Sequence, residues 1–268
     1  MNNFQGEKIK EEINSWAENE TKGLIKNLLS PTDKLSPPLC IANASYFKGS
    51  WQHPFKASNT RVGNFRLLNG RLARVPFMTS QFEHYRFESH DDFKLLELPY
   101  WPKEAKTDAR FSMYIFLPHS KGGIRGLLAR LNSDPGALRP LNFHLENEVL
   151  ERVWIPKLRL SHGFDAGEAA RAGGLTLPFD RACADFSNMA EGGGGNVCVG
   201  SMIDKAFVEV DEGGTVGPAA RSCSELFSKQ PYVRPNLTFV ADHPFLFMIV
   251  TRDFQPLFVG AVLDPLKE

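Results

Sequence analysis

The chain has 268 residues, 42% hydrophobic and 11% aromatic, enough to bury a substantial core. Lysine plus arginine and aspartate plus glutamate each total 31, so the formal charge is zero. That balance speaks against a nucleic-acid or anionic-membrane binder, both of which normally carry a basic excess, and no apolar run is long enough to span a bilayer.

The opening, MNNFQGEKIKEEINSW, is polar and charged. It lacks the apolar run and small-residue cleavage site of a secretory signal, so a cytoplasmic location is expected. A helix is predicted over residues 8–29, where Ile9, Ile13 and Trp16, then Leu24, Ile25 and Leu28, recur at three- and four-residue steps. Pro31 and the proline pair at 37–38 end it. Residues 39–47 (LCIANASYF) form an apolar run suited to a strand buried on both faces.

Further strands are predicted at 63–68, 74–79, 82–88, 93–99, 110–117, 151–160, 201–210, 237–241, 245–251 and 256–262, with turn signals such as Asn69-Gly70 between them. Two shorter helices are predicted. One spans 123–132; the other spans 165–173, with Asp165 as its cap and the glycines at 173–174 as its end. Many strands with interspersed helices, without strict alternation, give an α+β class.

The four cysteines, Cys40, Cys183, Cys198 and Cys223, are widely spaced with no CxxC pair, which points to reduced thiols rather than a zinc site. Enzyme motifs are absent. The tetraglycine at 192–195 has no following Gly-Lys-Ser/Thr, and there is no GxSxG or HExxH. Asp242 and His243 stand side by side, but neighbours in a strand point to opposite faces. No metal or cofactor is implied. The segment 211–236, rich in Gly, Ser, Pro and charge, is long for a compact domain. It reads either as a plain surface loop or as an exposed recognition loop.

Seven motifs in order then carry a resemblance. They are residues 41–51 (IANASYFKGSW), 75–78 (VPFM), 110–118 (RFSMYIFLP), 155–157 (IPK), 205–212 (KAFVEVDE), 239–247 (FVADHPFLF) and 258–265 (FVGAVLDP). Together they resemble the serpin family, and most closely its plant branch, over nearly the whole chain as a single domain, 1–268. The resemblance implies a reactive-centre loop, here 213–236, offered as bait to a serine protease. On cleavage that loop inserts as a new strand into a large β-sheet and traps the protease as an acyl-enzyme. The resemblance implies no nucleic acid, membrane or cofactor, and by family analogy it leaves an extracellular location open beside the cytoplasmic one.

By motif position, residues 8–29 would lie across the large sheet. Residues 39–47 and 201–210 would flank the insertion gap, and 151–160 would be the sheet's sixth strand. The hinge would comprise Glu212, Gly213, Gly214, Thr215, Val216, Gly217, Pro218, Ala219, Ala220 and Arg221. Counting on places cleavage between Ser228 and Lys229. Asn43, Trp51, Lys157 and Asp204 would line the gap and its top, with Glu212 paired to Lys157. Ser228 carries no charge for a trypsin-like pocket. Lys229 would suit one after a one-residue shift, and Phe227 would suit a chymotrypsin-like pocket.

Three departures bear on function. Relatives carry helices and strands of the large sheet before the point matched by residue 4, so a serpin fold lacking those elements, with apolar surface uncovered and a tendency to aggregate, is expected. The hinge replaces the usual run of small residues. Pro218 lacks a ladder donor, Gly217 weakens a strand, and Arg221 shares the inward parity of Thr215. Asp204 stands where the family usually has histidine, and an ionised carboxylate under a closed gap would be costly. The expected function is a protease-directed serpin that does not inhibit. The alternatives are a working suicide inhibitor and a non-inhibitory carrier or chaperone.

Overall fold

The computed structural model describes residues 3–30, 33, 35, 39–101, 110–189, 197–214 and 237–267. Its contacts gather in two compact units. One comprises Met1–Phe47 with Leu160–Val208, the other Lys48–Arg159 with Glu209–Glu268.

In the first unit, helix α1 (Asn3–Glu20) stops well before residue 29. Lys22 and Gly23 both take positive φ, 54° and 81°, and Gly23 N–H returns to Glu18 O at 2.7 Å, closing the helix as a left-handed cap. The predicted helix over 8–29 is therefore too long by its last two turns. The spacing of Leu24, Ile25 and Leu28 misled because they belong to an irregular segment that buries Ile25 and Leu28 and half-buries Leu24. Within that segment the backbone of Leu29 is satisfied by Asn14, whose side chain donates to Leu29 O at 3.0 Å and accepts from Leu29 N–H at 2.8 Å.

Beside it, strand β1 (Leu39–Phe47) belongs to a sheet completed by two strands from farther along the chain. In chain order the others are β2 (Ser50–Trp51), β3 (Arg61–Arg66), β4 (Leu72–Ser80), β5 (Glu83–Ser89), β6 (Phe93–Trp101), β7 (Phe111–Pro118), β8 (Glu146–Leu150), β9 (Arg152–Pro156), β10 (Leu158–Asp165), β11 (Val199–Val210), β12 (Thr238–Val240), β13 (Phe245–Thr251) and β14 (Pro256–Val262). The first sheet runs β1-β11-β10. Strands β1 and β11 are parallel, in register from Leu39↔Val199 to Phe47↔Val208. On one face, Ala17 of α1, with Ile25 and Leu28, packs over Ala42, Ala44, Tyr46, Ile203 and Phe207.

The second unit holds two sheets, ordered β12-β9-β4-β3 and β14-β13-β7-β6-β5-β8, with β2 added against β6. Helix α2 (Ile124–Ser133) buries Ile124 and Leu127 in a cluster with Phe93, Phe116 and Leu246, which gives the larger sheet its core. The two ends of that sheet differ. Strand β8 presents Glu146 and Glu148, whereas β14 (PLFVGAV) has no charged side chain and leaves Leu257 and Val259 exposed.

The strand predicted over 151–160 is two strands in two different sheets. Pro156 has no N–H to give to the ladder; Lys157 N–H still donates to Pro76 O at 2.9 Å, the next position in the β4 register, and the chain passes into the other sheet from Leu158. Helix α3 (Ala166–Ala172) has the expected cap, Asp165 accepting from Gly167 N–H at 2.8 Å. Strand β8 opens with Glu-Asn-Glu and has only Val149 and Leu150 as apolar signal, and it was not predicted. No helix among the described residues is long and apolar enough to cross a membrane.

Candidate functional site

Strand β11 ends at Val210, and the next four residues are fastened rather than free. Asp211 and Gly214 exchange backbone hydrogen bonds at 3.0 and 3.1 Å, and the Asp211 carboxylate accepts from Gly213 N–H at 2.9 Å. This tight turn lies on β2. Trp51 N–H donates to Gly213 O, Phe55 N–H donates to Glu212 O, both at 2.9 Å, and Trp51 Nε1–H donates to Asp211 O at 2.8 Å. Trp51 is 1% exposed and stacks on Tyr100 with ring centroids 4.3 Å apart.

Glu212 supplies the charge of this anchor. One carboxylate oxygen takes Lys157 Nζ at 2.8 Å; the other takes the Thr60 hydroxyl at 2.5 Å. Burial alone would raise the Glu212 carboxyl, but the hydrogen bonds from Lys157 and Thr60 and the lysine's charge outweigh it and hold it below the ordinary glutamate range. Glu212, Trp51 and Lys157, all predicted, come together here. Thr60 was missed because a lone threonine after a short turn carries no pattern.

The sign of the shift fixes a pH test. A carboxyl lowered in the folded state stabilises above its unfolded pKa of about 4.3, and the contribution disappears as pH falls through the folded value. Lys157 is 37% exposed and Glu212 16%, so screening limits the pair to about 1–2 kcal/mol at neutral pH. Glu212→Gln should melt a few degrees lower than wild type at pH 7, and the gap should close below about pH 4. Thermal melts at stepped pH would show this; a gap that persists in acid would mean that the carboxylate contributes nothing specific.

In the first unit, Asn43 and Asp204 face each other across β1 and β11, Asn43 Nδ2 donating to Asp204 Oδ2 at 2.6 Å. Asn43 also reaches Ser45 Oγ at 3.1 Å. Asp204 is half-buried, with solvent still reaching it, so the closed surroundings anticipated from the sequence are not what it meets here. The remaining hinge residues, Thr215 to Arg221, and the Ser228–Lys229 bond lie outside the described residues.

The segment after 236 is also pinned. Arg66 N–H donates to Asp242 O at 2.7 Å, and Ala241 N–H to Trp154 O at 2.9 Å. Asp242 and His243 were expected to diverge, but they stand in an irregular turn between β12 and β13, and their side chains meet, Nδ1 to Oδ1 at 2.7 Å. The other ring nitrogen of His243 is committed to Pro118 O at 2.7 Å. The hydrogen bond from His243 holds the Asp242 carboxyl below its ordinary range, against the opposing effect of burial. With both nitrogens engaged and the ring buried, His243 is a fastening, not a base.

The sequence profile described as Serpin (serine protease inhibitor) matches residues 1–265. Among curated relatives, Serpin-ZX of Arabidopsis thaliana is 40% identical over 262 residues, covering 95% of this chain and 65% of the relative. Serpin-ZXA of Oryza sativa subsp. japonica is 38% identical, covering 96% of this chain and 64% of the relative. The chain thus spans just under two-thirds of the length of these relatives. Among solved structures, Arabidopsis AtSerpin1 in its native stressed conformation superposes with a TM-score of 0.75 at 34% identity, covering 97% of this chain and 66% of that one. Uncleaved ovalbumin superposes at 0.72 with 25% identity, covering 97% and 63%. With an α+β fold that matches solved serpins and plant relatives on every side, the chain belongs to the serpin family and to its plant branch.

Proposed function

We propose that this protein presents residues 213–236 to a serine protease and is cut there as a substrate, without trapping the enzyme. The observation that carries this reading is the hinge sequence, read against the sheet it would have to enter. Strands β1 and β11 are already paired over nine residues of β1, with Asn43 bonded to Asp204 between them. Inserting a strand means separating them and giving the newcomer two full ladders. Val216-Gly-Pro-Ala-Ala-Arg221 is poorly suited to that place. Pro218 cannot donate, and Arg221 would carry its charge to the same face as Thr215. Slow insertion leaves time for the acyl-enzyme to hydrolyse.

The anchor at 211–214 supports loop presentation, because it fixes where the loop begins. A second reading, suicide inhibition, is favoured by the likeness to plant serpins and by the intact pairing of Glu212 with Lys157.

Mixing the purified protein with a trypsin-like and a chymotrypsin-like protease and running a denaturing gel separates the two. Fragments cut near Ser228–Lys229, with no product of summed mass, are expected. A boiling-resistant band at the summed mass would establish inhibition instead. Replacing 216–221 by alanines tests whether the hinge is the obstacle: a covalent band should then appear.

A further inference from the structure

The positive charge of this neutral chain is unevenly placed. From residue 34 to residue 82 there is no aspartate or glutamate, and the hairpin of β3 and β4 alone carries Arg61, Arg66, Arg71 and Arg74. Among the described residues, none of these four arginines is paired with a carboxylate. Arg61, Arg71 and Arg74 are exposed, and Arg74 reaches only the neutral amide of Asn64, at 3.4 Å.

The register puts this charge into a pattern. Val62 stands opposite Pro76, Asn64 opposite Arg74, and Arg66 opposite Leu72. Residues two apart on a strand share a face, so Val62, Arg66, Leu72 and Arg74 lie on one side of the hairpin, Arg71 stands in the connecting turn next to Leu72, and Arg61 has the opposite parity. Val62 is 59% exposed and Leu72 55%. Among the described residues, strand β3 is the last of its sheet.

We propose that this face of the β3–β4 hairpin is a docking surface for an acidic polypeptide segment that carries apolar side chains between its carboxylates. Charge complementarity supplies the sign of the partner. The cations are all arginine, whose planar fork takes a carboxylate through two parallel hydrogen bonds. The exposed aliphatic side chains narrow the class further. A uniformly charged nucleic acid or sulfated polysaccharide would leave Val62 and Leu72 against water, whereas a mixed acidic and apolar peptide covers them. The proposal is independent of loop cleavage.

The test uses the full chain and a fluorescein-labelled dodecapeptide, Glu-Leu-Asp-Val repeated three times, read by fluorescence anisotropy. Binding should weaken steeply between low and moderate salt. Arg71→Glu with Arg74→Glu should weaken it at least ~10-fold. Leu72→Ser should weaken this peptide severalfold but leave binding of polyglutamate unchanged. All three substitutions are at exposed positions, so an unchanged thermal melt shows that folding is intact. The proposal is overturned if the double reversal leaves the affinity unchanged, or if an oligonucleotide or heparin of equal charge binds as tightly as the peptide and displaces it.

Discussion

Valine at Gly214 is expected to unfasten the start of the loop and lower the melting temperature by roughly 10 °C. Two separate costs meet at this position. The backbone has φ of +104°, which residues with a side chain rarely adopt, at about 1–3 kcal/mol. A Cβ there would also collide with Gly49 O and lie 2.5 Å from Trp51 N and 2.7 Å from Ser50 Cα. These are backbone atoms of the strand on which the segment rests, so no rotamer change relieves the collision. Gly70 makes the control, since its φ is +82° but nothing lies within 4 Å of its Cβ position. Gly70→Ala should therefore show the backbone cost alone, and Gly214→Ala clearly more. Equal melts for the two alanine variants would mean that the anchored turn can shift away from β2, and the account of the anchor would be wrong.

Trp51→Ala should cost about 3–5 kcal/mol in urea unfolding, because it empties a fully buried aromatic site and removes the stack on Tyr100. It also leaves Asp211 O without its indole donor. Trp51→Phe separates these contributions. It keeps most of the packing and loses the N–H, so about 1–2 kcal/mol is expected. Hydrogen exchange at Gly213 and Gly214 should rise in both variants, because the carbonyl that holds the turn to the tryptophan is released. A cost below about 1 kcal/mol for Trp51→Ala would show that the pocket collapses around the gap.

Much of this was legible before any coordinates. Strands β7, β13 and β14 fall within a residue or so of their predicted bounds, because long runs of β-branched and aromatic residues between turn signals leave few alternatives. Trp51, Lys157 and Glu212 could be singled out by their motifs, and the structure brings them into one anchor. What was not legible depends on contacts distant in sequence. The end of α1 is decided by Lys22 and Gly23 adopting left-handed conformations while Asn14 satisfies residue 29 from fifteen positions away. Thr60 becomes part of the anchor only because a short turn brings its hydroxyl to Glu212. The break at Lys157 reflects a change of sheet that a continuous apolar run conceals.

Strand β1 teaches a subtler lesson. Its composition reads as a strand covered on both sides, yet α1 covers only one, and Ile41 is left 38% exposed. A run of apolar residues reports what a strand is suited to, not what stands beside it.

The unequal ends of the larger sheet matter once molecules meet. Strand β8 carries Glu146 and Glu148, but β14, the last strand of its sheet among the described residues, leaves Leu257 and Val259 exposed with no charge to turn a neighbour away. Capture at such an edge is bimolecular, so its initial rate grows with the square of protein concentration, whereas thermal unfolding is first order. Halving the concentration of a stock solution would slow edge capture fourfold by that rate law, while the half-life for unfolding would stay the same.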